Sequence, residues 1–175
     1  MSSVLLSISG HDRPGIVRDV AEAMLHLNAN IEDSSMTALR GRFAMMLIVR
    51  LSGSMGELKA ALAELERRTG LTVQSQAISN EEMSTEAVEP DHVVTVHGAD
   101  QVGIVHAVTE ALAELNISVV DVSTQSQSSD DGNIYMMVLE VAAGDQGQAM
   151  KPVLDQVAER IGMDIDVHSL DDAIL

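Results

Sequence analysis

Two short loops of the sequence carry side chains that could bind a small charged molecule. The first, Gly10-His11-Asp12-Arg13-Pro14-Gly15, separates an apolar run from a helical pattern. The N–H groups of a first helical turn lack partners within the helix and suit a carboxylate, while Asp12 could accept a hydrogen bond from an ammonium group. Together these two demands describe a free amino acid. The competing interpretation, which the loop taken alone favours, is that Asp12 only caps the helix.

The second loop repeats the first. GHDRPGIV at residues 10–17 matches GADQVGIV at residues 98–105, an offset of 88. The register continues through the following segments with small gaps, until Gly70 aligns with Gly162 at an offset of 92. Because three segments stay in register, we interpret the chain as a duplicated domain.

Each copy reads as strand, helix, strand, strand, helix, strand. This βαββαβ order predicts an α+β fold with two tandem ferredoxin-like domains, each a four-stranded antiparallel sheet with two helices on one face. The other face of each sheet then needs covering. We expect domains at residues 1–79 and 92–170, an acidic linker at 80–91 and a tail at 171–175.

The elements around the loops are visible in the apolar spacing. One helix stripe combines Ile16, Val17, Val20, Met24 and Leu27, and its counterpart combines Ile104, Val105, Val108, Leu112 and Leu115.

Glycines and turn residues punctuate the rest of each copy. Gly70 and Gly162 are predicted to end the second helices as C-terminal caps. Hairpin turns are expected at residues 40–42 and, in a longer form, at residues 128–133.

Composition excludes several classes of function. The formal charge of the 175 residues is −17; residues 1–80 hold 8 basic and 8 acidic side chains, and residues 81–175 hold 2 and 19. With Phe43 and Tyr135 as the sole aromatics, direct binding of nucleic acid or of an anionic membrane is not expected. There is no Cys, no long apolar run and no signal-like start, so we predict a cytoplasmic protein.

Both copies resemble the ACT domain, a ligand-sensing module of amino-acid-controlled enzymes. The family pattern is met by Asp12-Arg13-Pro14-Gly15, a helix, and Asn30-Ile31. In related serine-binding domains the residue before Arg-Pro-Gly and the Asn eighteen positions later hold the ligand between two domains. The second copy has Asp100-Gln101-Val102-Gly103 and Ser118 instead, which indicates a divergent site or a structural copy. The ligand-binding residues implied by the resemblance are Asp12, Arg13, Gly15, Ile16, Asn30, Ile31, Asp100, Gly103 and Ser118.

Among tandem members, the chain is similar to the glycine cleavage system transcriptional repressor group, through Asp12–Val17, Asn30-Ile31-Glu32-Asp33-Ser34 and residues 51–54. The resemblance implies a non-catalytic, homo-oligomeric regulator that senses glycine or serine and acts through a DNA-binding transcription factor. We expect no cofactor, no metal site and no direct contact with DNA. The alternative is a stand-alone regulatory subunit or oligomerisation module of a metabolic enzyme.

The excess of negative charge lies in the linker and the second copy. This placement suggests that the first copy senses the ligand, while the second offers an acidic face to a basic partner or keeps the protein soluble.

Overall fold

The computed structural model describes residues 2–129 and 132–170, and the chain divides into two compact units, Met1–Thr85 and Glu86–Leu175. Each unit is an antiparallel four-stranded sheet with two long helices packed against one face. The duplicated α+β fold predicted from the sequence is confirmed. None of the described helices is long and apolar enough to span a membrane.

The first unit has the strand order β2-β3-β1-β4. Its elements are β1 (Ser2–His11), α1 (Ile16–His26), β2 (Asn30–Leu39), β3 (Arg42–Leu51), α2 (Met55–Thr69), β4 (Thr72–Ile78) and the short α3 (Asn80–Met83). The helix α3 lies in the stretch predicted to be a linker, where Ser79 and Glu82 form a capping box that starts the turn.

The second unit has the equivalent order β6-β7-β5-β8. Its elements are β5 (His92–Ala99), α4 (Ile104–Glu114), β6 (Ser118–Ser129), β7 (Gly132–Ala142), α5 (Gly147–Ile161) and β8 (Asp164–Ser169). A single 3-10 turn, Gly144–Gln146, precedes α5. The predicted tail, residues 171–175, lies outside the described residues.

The core of each unit forms between the helices and one face of the sheet, because alternate strand residues point toward the helices. The predicted helix stripes are confirmed at Ile16, Val20 and Met24, which are buried. Val17 and its counterpart Val105 were wrongly placed in the core: they are 39% and 42% exposed, because each lies in the first turn of its helix beside the loop.

The predicted helix ends and the first hairpin turn are confirmed, whereas the second hairpin turn differs from its prediction. Gly70 and Gly162 end their helices in the left-handed conformation, with φ of 72° and 62°. The first hairpin turns at Arg40 and Gly41, both with positive φ. In the second hairpin, Ser128 pairs with Asn133 and Ser129 with Gly132, so its turn is shorter than predicted. Asp130 and Asp131 of that turn lie outside the described residues.

Candidate functional site

The loop between β1 and α1 is shaped by its Pro-Gly step. The amide of Ile16 donates to the carbonyl of Arg13 at 3.2 Å, which closes a turn with Pro14 and Gly15 at its centre. Gly15 has φ 84° and ψ 4°, the values that a type II turn requires at this position. Gly15 is also the N-cap of α1, and no side chain caps the helix. The interpretation of Asp12 as a helix cap is therefore wrong, and Pro14 lies before the first residue of the helix.

Asp12 is left available at the end of the sheet. Its amide donates to the carbonyl of Gly41 at 3.0 Å, which ties the loop to the β2–β3 turn, while its side chain is exposed. In the described part of the chain, its carboxylate has no hydrogen-bond or ion-pair partner. The amides of Val17 and Arg18 in the first turn of α1 likewise have no acceptor among the described residues. An acceptor for an ammonium group and donors for a carboxylate therefore lie on the same loop and helix start.

Asp19 holds this loop in place, and sequence reasoning missed it. Its side chain is only 11% exposed, and it accepts hydrogen bonds from Arg13 and, at 2.9 and 3.2 Å, from Arg18. The hydrogen bond from Arg13, then that from Arg18, holds the pKa of Asp19 below its usual value against the opposing effect of burial. Arg13 thus braces the loop instead of lying free. An Asp directly before the core residue Val20 and after Arg18 was the signal available in the sequence.

Asn30 and Ile31 lie at the opposite end of the unit from Asp12. Asn30 pairs with Arg50 of β3, whereas the strand that leads to Asp12 ends at His11, which pairs with Arg42. Arg42 and Arg50 are eight positions apart along the extended strand β3, a distance of roughly 25 Å. One copy of this unit does not bring Asp12 and Asn30 to the same small ligand.

The second loop resembles the first in backbone but not in side chains. Gly103 caps α4 with φ 99°, again without a side-chain cap. Asp100, however, accepts a hydrogen bond from the hydroxyl of Ser126 at 2.7 Å. Gln101, which aligns with Arg13 in the sequence, donates to the carbonyl of Ile161 at 2.6 Å and not to a carboxylate.

The surroundings of the second loop also differ from those of the first. Burial, with a contribution from the charge of Asp100, raises the pKa of nearby Tyr135 despite its hydrogen bond with Thr124. Ser118 begins β6 and pairs with Ala142, so it lies at the far end of its sheet, as Asn30 does.

The duplicated fold and its two glycine-capped loops match a known family of regulatory, ligand-binding domains. The ACT domain models match residues 2–76 and residues 92–157. The chain belongs to the ACT domain family. ACT domains in general bind small amino acids.

Relatives of one-domain length lie in the UPF0237 group. A UPF0237 protein of Methanopyrus kandleri is 40% identical over 76 residues, which are 42% of this chain and 84% of the relative. Another, from Lactococcus lactis, is 35% identical over 81 residues, which are 43% of this chain and 91% of the relative. The tandem ACT protein therefore contains a stretch that is related to this group.

Two solved structures share the complete tandem fold. A protein of unknown function from Galdieria sulphuraria is 30% identical with a TM-score of 0.79, covering 97% of this chain and 98% of its own. A structure assigned provisionally as a glycine cleavage system transcriptional repressor is 17% identical with a TM-score of 0.73, covering 97% of both chains. At that identity the second likeness establishes the fold alone.

Proposed function

We propose that this tandem ACT protein senses a small amino acid, glycine or serine, and controls transcription of amino-acid metabolism genes through a protein partner. The observation that carries the sensing step is that the loop and the helix start carry the Asp12 carboxylate and the amides of Val17 and Arg18, none of which has a partner among the described residues. Glycine consists of little more than the ammonium and carboxylate groups that these atoms complement.

Asn30 contributes to the site from a second chain. Because Asp12 and Asn30 lie at opposite ends of one unit, both can contact one ligand only if the first unit of a partner chain supplies Asn30. The edge strand β2 supports this arrangement: it is exposed along most of its length, and an edge strand can pair with another chain.

The transcriptional part of the proposal depends on motifs in the first unit. Asn30-Ile31-Glu32-Asp33-Ser34 and the Arg13-Pro14-Gly15 loop resemble the glycine cleavage system repressor group. A protein partner would supply the contacts to DNA. Genes for glycine breakdown are a suitable target for such a protein, because a sensor of glycine can match their expression to the supply of glycine.

Titration calorimetry on the full chain tests the ligand site. Glycine or serine should bind, and Asp12→Ala should weaken binding about tenfold or more, because a hydrogen bond to a charged group is lost. Asp100→Ala is the matched control in the second loop and should leave the affinity unchanged. Equal binding by Asp12→Ala and the natural chain would refute the site.

Mixing two inactive variants tests whether the site is shared. Asp12→Ala and Asn30→Ala chains should each bind glycine poorly. A mixed dimer should contain one intact site out of its two, because one of the sites combines the unchanged Asp12 with the unchanged Asn30. Failure of the mixture to recover binding, with mixed dimers shown by native mass spectrometry, would contradict the shared site.

A reporter gene under a glycine cleavage promoter tests the output. Deletion of the gene should raise expression, and the Asp12→Ala allele should uncouple expression from glycine. If the purified chain instead binds and alters a metabolic enzyme while the reporter is unaffected, the regulatory-subunit alternative replaces this proposal.

A further inference from the structure

The first unit contains a groove on the sheet face that points away from its helices. Its volume is about 640 Å³. Five apolar side chains form much of its lining: Leu5, Met46, Ile48, Ile78 and Met83. Leu5 pairs with Ile48 across the central strands, so these two residues form a continuous apolar floor.

An ion pair lies in the same groove. A guanidinium nitrogen of Arg50 contacts Oε1 of Glu32, whose side chain is only 18% exposed. The other carboxylate oxygen of Glu32 is buried and has no hydrogen-bond partner within the described residues. Arg50 keeps further donors, because a guanidinium carries five N–H groups and this contact occupies only part of them. The groove therefore offers an anion and a cation side by side, each with unused hydrogen-bonding capacity.

A β-bulge places Glu32 in this position. Ile31 pairs with Val49 and Asp33 with Ile48, so Glu32 is an extra residue in β2. Bulges of this kind redirect a side chain and are frequent beside functional sites.

The second unit shows that the fold does not need the ion pair. Its own bulge lies between Val119 and Asp121, and the extra residue there is Val120. The position equivalent to Arg50 is Ala142, the partner of Ser118. Since an apolar pair serves in one unit and a partly buried ion pair costs desolvation in the other, stability alone does not account for Glu32 and Arg50.

We infer that this groove is a second ligand site, for a zwitterionic amino acid with a bulky apolar side chain. Arg50 binds its carboxylate, Glu32 binds its ammonium group, and Leu5, Met46 and Ile48 receive its side chain. Asp33 and Glu82 line the groove as well and add negative charge to it. The site is separate from the Asp12 loop, which lies at the other end of the sheet.

L-Leucine is the probe, measured by calorimetry and by NMR shifts on the full chain. It should bind at millimolar concentration and shift the signals of Leu5, Ile48 and Ile78. The analogues 4-methylpentanoate, which lacks the ammonium group, and 3-methylbutylamine, which lacks the carboxylate, should each bind about tenfold more weakly or worse. Absence of leucine binding would overturn the proposal, as would an equal affinity for the amine.

A double variant built from the second unit provides the mutational test. Glu32→Val with Arg50→Ala recreates the pair found at Val120 and Ala142, so it should fold with a similar melting temperature and lose leucine binding about tenfold or more. Asp12→Ala should bind leucine normally even though it loses glycine. Leucine binding that survives the double variant but not Asp12→Ala would assign leucine to the loop and overturn the groove site.

Accessibility of the free protein supplies an independent check. The methyl signals of Met46 and Ile48 should broaden with a soluble paramagnetic agent and become protected on adding leucine. Protection before leucine is added would mean that another protein surface already covers the groove, which would also overturn the proposal.

Discussion

The two units share one fold but use their equivalent loops in opposite ways. In the first, the Asp12 side chain has no partner within the part of the chain that the structure describes, and Arg13 is held by Asp19; in the second, Asp100 is bound by Ser126 and Gln101 by the carbonyl of Ile161. The bond from Ser126 fixes the orientation of Asp100 and occupies one of its acceptor sites, whereas no such bond orients Asp12 among the described residues. The comparison is the reason that we propose the first loop, and not the second, as the ligand site.

The second long helix also starts differently in the two units. In the first unit, Ser54 and Glu57 form a local capping box on α2. In the second unit α5 has no side-chain cap; instead Asp91, at the entry to the unit, accepts from the amides of Ala143 and Gly144 at 2.8 and 2.7 Å. A contact between neighbours in one copy is replaced by a long-range contact in the other.

The largest difference should appear on removing Asp91. Asp91→Ala deletes both amide contacts and the 2.7 Å contact with His92, and should cost the second unit about 1–2 kcal/mol after allowance for its partial exposure. Hydrogen exchange resolved by residue should show the loss in β5, β7 and α5 and not in the first unit. Glu89→Ala, an exposed acid in the same segment, is the control. An equal loss of protection from exchange in both units would contradict this difference between them.

The ionised carboxylate of Asp91 leads us to expect that the second unit loses stability in acid. Burial alone would raise the pKa of Asp91, but hydrogen bonds from Ala143, His92 and Gly144 outweigh it and lower the pKa to about 2. A lowered folded-state pKa stabilises the fold above the unfolded value of 3.8 and ceases to do so as the pH falls toward 2. The stability difference between the natural chain and Asp91→Asn should therefore shrink between pH 4 and 2 in acid titrations; a constant difference would argue against the ionised anchor.

A smaller effect, confined to the first unit, is expected from Ser54→Ala. The variant removes one partner of the capping box and should cost about 1 kcal/mol. Because Ser54 donates to Glu57 through its backbone and side chain and lowers the pKa of Glu57, the loss should be greatest when Glu57 is ionised. Thermal unfolding with exchange mapping to α2 checks this, and Ser52→Ala is the control. Destabilisation of α5 instead would show that the units are not independent in this respect.

The smallest effect should follow from Ser126→Ala. Its hydrogen bond to Asp100 is exposed, so stability should change by roughly 0.5 kcal/mol or less. Glycine should still bind at one site per chain, because Ser118 stands where the first unit has Asn30. Calorimetric stoichiometry measures this. A rise to two sites per chain would mean that Ser126 alone keeps the second loop from binding.

The fold was predictable because its signals are local and repeated. Apolar spacing placed α1 and α4, Gly70 and Gly162 marked helix ends, and the 88-residue offset tied the two copies together. Val17 and Val105 were misplaced because apolar spacing does not distinguish the exposed first turn of a helix from its buried middle. The length of the second hairpin turn was predicted wrongly, because the polar residues Ser128 and Ser129 pair within the strands instead of lying in the turn.

The candidate site was only partly predictable. Asp12 was singled out by its position, yet its cap role was wrong, because the positive φ of Gly15 starts the helix three residues later. Asp19 and the Glu32–Arg50 pair were missed because each depends on contacts between residues that no motif links.

By itself, the sequence determined the duplicated ACT fold and the two loops, and it suggested the class of molecule that we propose for Asp12, since these depend on residue type and short-range spacing. Only the tertiary structure decided which loop is free, that Asp12 and Asn30 lie at opposite ends of one unit, and that a charged groove lies behind the first sheet. The reason is physical: availability for binding depends on which neighbours have already satisfied a side chain, and those neighbours come from distant parts of the chain.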